Sequence, residues 1–89
     1  SQEKAAVVNN FVLVLNDYFE KQKLIASASI TLDITDNIKW QEIDNLTKIN
    51  LYRIVQECLQ NINKHAQATE AYFNITQLEN QLHLQVIDN

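Results

Sequence analysis

The chain has 89 residues, 46% of them apolar, which sets a limit of one domain and excludes a disordered tail. Its net charge is −4 and its seven basic residues are scattered, which excludes a surface built to neutralise nucleic-acid phosphates. The single cysteine, Cys58, excludes an internal disulfide and suits a reducing compartment; no apolar run is long enough to span a membrane, and "SQEKAAVVNN" lacks the layering of a secretory leader.

From about Glu3 to Lys23, the apolar positions Val8, Phe11, Val12, Leu15 and Phe19 recur at helical spacing, which predicts one amphipathic helix. "SASITLDIT" then switches to a period of two. Ala28, Ile30, Leu32 and Ile34 share a face, as in a half-buried strand. "DNIKWQEI" reads as a loop pinned by Ile38, Trp40 and Ile43. Asp44 is placed to cap a long helix running to about His65, with Leu51, Ile54, Val55, Cys58, Leu59 and Ile62 as its apolar face.

Two alternating runs follow, "EAYFNITQ" and "QLHLQVID", joined by "LENQ". They predict a hairpin whose connection, lacking glycine, is longer than a two-residue turn. The order helix, strand, helix, strand, strand predicts an α/β two-layer sandwich with helices on one face of a mixed sheet. The chain contains no glycine and no proline, although an average one of this length carries about six glycines. The expectation is that a glycine-rich part of the domain lies outside this segment.

Chemistry is concentrated on the second helix, in "LYRIVQECLQNINKHAQA". Glu57 and Asn61 are one turn apart, and Lys64 follows at i+3, so the three are neighbours on one helix face. A carboxylate there can orient or deprotonate a hydroxyl. An amide oxygen suits a Mg²⁺ that keeps waters and also binds phosphates. A lysine one turn on can meet phosphate charge. Spacing alone favours the plainer alternative, a solvated helix face.

That segment, with the hairpin and the closing "VIDN", resembles the start of the ATP-binding domain of bacterial sensor histidine kinases. Its wording is similar to the subfamily that partners helix-turn-helix response regulators. There the long helix carries the N box, "LYRIVQEALNNALKHAxA", and a hairpin leads into the first glycine box, "DNGxGF". Here the N box occupies about 51–66, and the glycine box begins at Asp88-Asn89. The resemblance is strong after about Asp44 and weaker before it. It implies that residues 1–89 are the N-terminal portion of a Bergerat-type ATPase fold, with the ATP lid and later glycine boxes absent.

The resemblance further implies that Asn61 binds Mg²⁺ and ATP, and that Glu57 acts catalytically in transfer or water positioning. Lys64 and His65 would lie near the nucleotide phosphates. Asp88 would accept a hydrogen bond from the adenine amino group, a role open to an acceptor-only carboxylate. The whole protein would then be a cytoplasmic two-component histidine kinase that binds Mg·ATP and passes the γ-phosphoryl to a histidine. Its partners would be a dimerisation and phosphoacceptor domain and a response regulator, with no nucleic acid. The segment alone would bind ATP poorly and would tend to self-associate. His65 is not the phosphoacceptor, which in the family lies on a separate helix. The alternatives are an anti-sigma-factor kinase or other Bergerat ATPase, and a degenerate module that only mediates contacts.

Overall fold

A computed structural model describes residues 1–65 and 67–89, excepting the His65 side chain. Helices α1 (Gln2–Asn9) and α2 (Phe11–Lys23) lead into strand β1 (Ser29–Ile34). A short 3₁₀ turn (Trp40–Glu42) precedes α3 (Asn45–His65), and β2 (Glu70–Leu78) and β3 (Gln81–Asp88) close the chain. The strands form one sheet in the order β1-β2-β3, with β1 parallel and β3 antiparallel to β2. The architecture is an α/β two-layer sandwich with the helices on one face of a mixed sheet, as the order of periodicities indicates. The parallel pair β1 and β2 brackets α3, because parallel neighbours need a long crossover connection.

The first helical segment departs from expectation. It is two helices, broken at Asn10, whose backbone sits at φ −141° and ψ 56°. The Asn9-Asn10 pair explains the site of the break, because asparagine side chains compete for backbone hydrogen bonds and favour non-helical conformations. The break also rephases the buried face: Val7, Phe11, Leu15 and Phe19 are buried, while Val8 and Val12 are only half-buried. It leaves the Val8 carbonyl near the end of α1, where Lys48 Nζ donates to it at 3.2 Å. Lys48 is itself buried, and its ammonium meets the negative end of the α1 dipole. Replacing it by methionine keeps most of the stem and removes the donor. Lys48→Met is expected to cost about 1–3 kcal/mol, since the hydrogen bond from a charged donor to a part-buried carbonyl is lost. An unchanged urea midpoint would assign Lys48 to packing alone.

Helix α3 starts where the sequence places it. Asp44 Oδ1 accepts from the Thr47 N–H at 2.8 Å, and the Asp44 carbonyl accepts from Lys48 N at 3.2 Å, which together form an N-cap. Hydrogen bonds from the Thr47 side chain, then from its backbone N–H, hold the Asp44 carboxyl below its ordinary value. A depressed folded-state value means that the cap's contribution is complete above the unfolded value of about 3.9 and is lost as pH falls through the lower folded value. Asp44→Ala is therefore expected to melt earlier than the parent at neutral pH. The difference should shrink on acidification below about pH 4, whereas Asp44→Asn should keep a cap with no titration in that window. Melting curves across that pH range check this.

The sheet buries one face. Ile30, Ala71, Phe73 and Ile75 are buried against Phe11, Leu15 and Phe19 of α2 and against Leu51, Val55, Leu59 and Ile62 of α3. Phe19 and Phe73 meet edge to face with centroids 5.1 Å apart. Ile38 is buried and Trp40 stacks on Phe11 at 4.6 Å, so the loop is pinned as its apolar residues suggest. The hairpin differs from expectation. Leu78 pairs with Gln81, leaving only Glu79 and Asn80 as the turn. Glu79 supplies the left-handed geometry at φ 56° that glycine usually provides, at a cost of about 1–2 kcal/mol.

Candidate functional site

Residues 57–64 lie on the last turns of α3, and the chain then re-enters the sheet at Glu70. Glu57, Asn61 and Lys64 are all exposed. The buried stripe of α3 is narrower than the sequence suggests: Leu51, Val55, Leu59 and Ile62 are buried, Cys58 is half-buried, and Ile54 is 48% exposed. With about 100° per residue, Asn61 stands roughly 115° from the centre of that stripe, on its flank. Glu57 and Lys64 stand roughly 155° or more away, nearly opposite the sheet. The three remain neighbours along the helix, but only Asn61 borders the sheet-facing side. The expected role of His65 falls on a side chain outside the described residues.

Asp88 is placed by strand register. It pairs with Ala71, which is buried on the helix side of the sheet, and directly opposed residues share a face. Ala71 in turn pairs with Ile30 on β1, also buried on that side. Asp88 thus lies on the helix-facing side, at the end of the sheet where α3 delivers the chain into β2, and it is exposed there. The parity of the hairpin therefore assigns Asp88 and the C-terminal turns of α3 to one end of one face.

Asn89 holds that end together. Its Oδ1 accepts from the Thr69 and Glu70 backbone N–H groups, each at 3.0 Å, and its Nδ2 donates to Thr69 Oγ1 at 2.9 Å. Its own N–H donates to the Glu70 carbonyl at 3.3 Å. No local spacing announces this; it follows from the register that brings residue 89 opposite residue 70. A cavity of about 300 Å³ opens at the same end, lined by Ser29, Thr31, Glu70, Tyr72, Asp88 and Asn89 among others. Most of its lining positions belong to the opposite, open face of the sheet. Asp88, on the helix-facing side by register, only borders it, and Glu57, Asn61 and Lys64 are not in its lining.

The open face carries a second polar cluster that sequence reasoning missed. Tyr72 donates its hydroxyl proton to Asp33 Oδ2 at 3.0 Å, and Asn74 Nδ2 reaches the Asp33 carbonyl at 3.4 Å. The bond to Asp33 raises the Tyr72 hydroxyl above its ordinary value. The registered pairs Thr31↔Tyr72 and Asp33↔Asn74 explain the meeting, a cross-strand adjacency invisible before the strands are paired. Cys58 lies half-buried beside the core; burial, and then the Glu57 carboxylate, raise its thiol above the ordinary value, which leaves it a poor nucleophile.

Among the described residues no three His, Cys, Asp or Glu side chains converge on a metal site, and no helix is long and apolar enough to cross a membrane. A Mg²⁺ held through one amide oxygen, with water and phosphate as its other ligands, needs no such cluster. The exposed Asn61 amide, with a carboxylate one turn earlier, fits that donor set. No known protein-family model matches the chain, and neither does any curated protein.

Proposed function

We propose that this chain forms the helix-and-sheet wall of a Mg·ATP site in a histidine kinase of the two-component type. The reading rests on the N-box wording of α3 and the "VIDN" that follows it one hairpin later. The observation that carries it furthest is the register of Asp88 with Ala71. This sets the acidic position on the helix side of the sheet, at the end where the last turns of α3 arrive.

Each residue has a defined task in this proposal. Asp88 accepts a hydrogen bond from an exocyclic amine of the base. Asn89 ties the end of β3 to the start of β2 and so orients its neighbour. Asn61 offers a neutral oxygen to Mg²⁺, and Lys64 offers a point charge to phosphate. Bound Mg²⁺ would supply charge neutralisation at the phosphates during transfer. Glu57, at i−4 from Asn61, orients the acceptor group or a water in this proposal. The phosphoacceptor histidine and the response regulator belong to other parts of the system.

The experiment is a phosphotransfer assay on the natural protein that carries this segment, with γ-labelled ATP. The expected product is acid-labile and alkali-stable, as a phosphoramidate on histidine is. An acid-stable label would instead indicate a serine or threonine acceptor, the anti-sigma-factor type of kinase. No label, with nucleotide binding also absent, would indicate a module that only mediates contacts.

A further inference from the structure

We propose that the joint between α1 and α2 binds a small organic carboxylate, held between the Lys48 ammonium and the first turn of α2. This site is separate from the nucleotide site proposed above and does not rest on it.

The first observation is a buried cation without a counter-charge. Lys48 is only 7% exposed, and lysines so buried are almost always paired. Among the described residues its ammonium has one partner, the Val8 carbonyl at 3.2 Å, and no carboxylate lies within 4.0 Å of it. An ammonium carries three donors. One neutral carbonyl takes one of them and leaves the unit charge unmatched.

The second observation is an uncapped helix start. Asn10 gives α2 no side-chain cap, and the first turn holds no acidic residue. The Phe11, Val12 and Leu13 N–H groups precede the first intrahelical bond, from Val14 N to the Asn10 carbonyl at 2.9 Å. They meet no acceptor among the described residues. Aligned donors at the positive end of a 13-residue helix favour an anion.

The two features border one cavity of about 270 Å³, walled by the α1–α2 joint, by Trp40 and Gln41 of the 3₁₀ turn, and by Lys48. Its lining contains no Asp or Glu, in a chain that has eleven acidic residues to seven basic ones. The volume lies below the range of about 300–1,000 Å³ usual for drug-sized ligands, so the occupant is small. Charge selects its type. Lys48 supplies one full positive charge, and the facing ends of α1 and α2 supply about −0.5 and +0.5, so the balance suits a monoanion and not a phosphate dianion. Val8, Val12, Leu13 and Trp40 give the rest of the molecule an apolar wall. A short branched carboxylate answers both the charge and the wall.

Trp40 is the chain's only tryptophan and lines the cavity, so its fluorescence reports occupancy. The probe is isovalerate, titrated at constant ionic strength beside isovaleramide, its neutral counterpart of the same shape, and inorganic phosphate. Isovalerate is expected to give a saturable change, with the other two weaker by on the order of 10-fold or more. Lys48→Met is expected to weaken isovalerate by a similar factor. Because Lys48→Met also loses stability, Leu13→Glu provides a second variant. Leu13 is 70% exposed, so the fold should keep its circular dichroism spectrum, and the new carboxylate stands in the first turn of α2 where the ligand would sit. Isovalerate is expected to bind it on the order of 10-fold more weakly. The proposal is overturned by the absence of a saturable change with isovalerate, by equal binding of isovaleramide, by tighter binding of phosphate, or by undiminished binding to folded Leu13→Glu.

Discussion

Phe73→Ala is expected to destabilise the chain by about 3–5 kcal/mol, the range for deleting a buried phenylalanine. Phe73 is fully buried on the central strand, and its ring meets Phe19 of α2 at 5.1 Å, edge to face. Its removal takes away a ring that touches both layers, and the surrounding side chains can close the space only partly. A domain of this size has a total stability of roughly 4–13 kcal/mol at 0.05–0.15 kcal/mol per residue. The substitution is therefore expected to leave a large unfolded fraction at 37 °C. Urea denaturation at one fixed protein concentration reads the effect. A loss under about 1 kcal/mol would mean that the Phe19–Phe73 contact is not central to the core.

Asn61→Ala carries the largest expected functional effect. On the proposed reading the amide oxygen would hold the Mg²⁺ that neutralises phosphate charge during transfer, so its loss is expected to reduce histidine phosphorylation on the order of 100-fold. Because Asn61 is exposed on α3, the variant should keep its fold, and its melting temperature is expected to stay close to that of the parent. High Mg²⁺ should restore part of the activity, since a weakened ligand is opposed by mass action. Unchanged phosphorylation would remove Asn61 from the metal site. Reduced phosphorylation without any Mg²⁺ rescue would point to a contact with the nucleotide itself.

Much of the fold is readable before the strands are paired. The period of two along Ile30, Leu32 and Ile34, and along Ala71, Phe73 and Ile75, marks the face that becomes the inner side of the sheet. Asp44 announces the start of α3 because capping is local chemistry confined to four residues. Features that depend on distant partners are less legible. The break at Asn10 needs Lys48 to meet a freed carbonyl, a contact 40 residues away in the chain. The exposure of Ile54 reflects how far the helix layer extends over the sheet, which no helical wheel contains. The turn at Glu79 defeats a glycine-based rule because the paired strands on either side hold a strained residue in place.

The candidate site divides along the same line. Glu57, Asn61 and Lys64 are neighbours by helical spacing, and the structure keeps them so. Their relation to the sheet is not in that spacing, and Glu57 and Lys64 stand farther from it than an apolar face including Ile54 implies. Asp88 gains its place from strand parity, and Asn89 from a register that only the folded hairpin creates.

The two-residue turn at Glu79-Asn80 also sets an order of assembly. β2 and β3 join residues close in sequence, starting from the pair Leu78↔Gln81, so this hairpin can close in about 1–10 μs. The parallel ladder joins Ser29 to Glu70 and must first close a loop that contains all of α3. Loop-closure entropy makes that ladder the later and slower event. The order of contacts expected from loop closure is therefore β2 with β3 first and β1 afterwards. In that order β2 has an open edge, a row of unpaired backbone groups that another unfinished chain could occupy before β1 arrives.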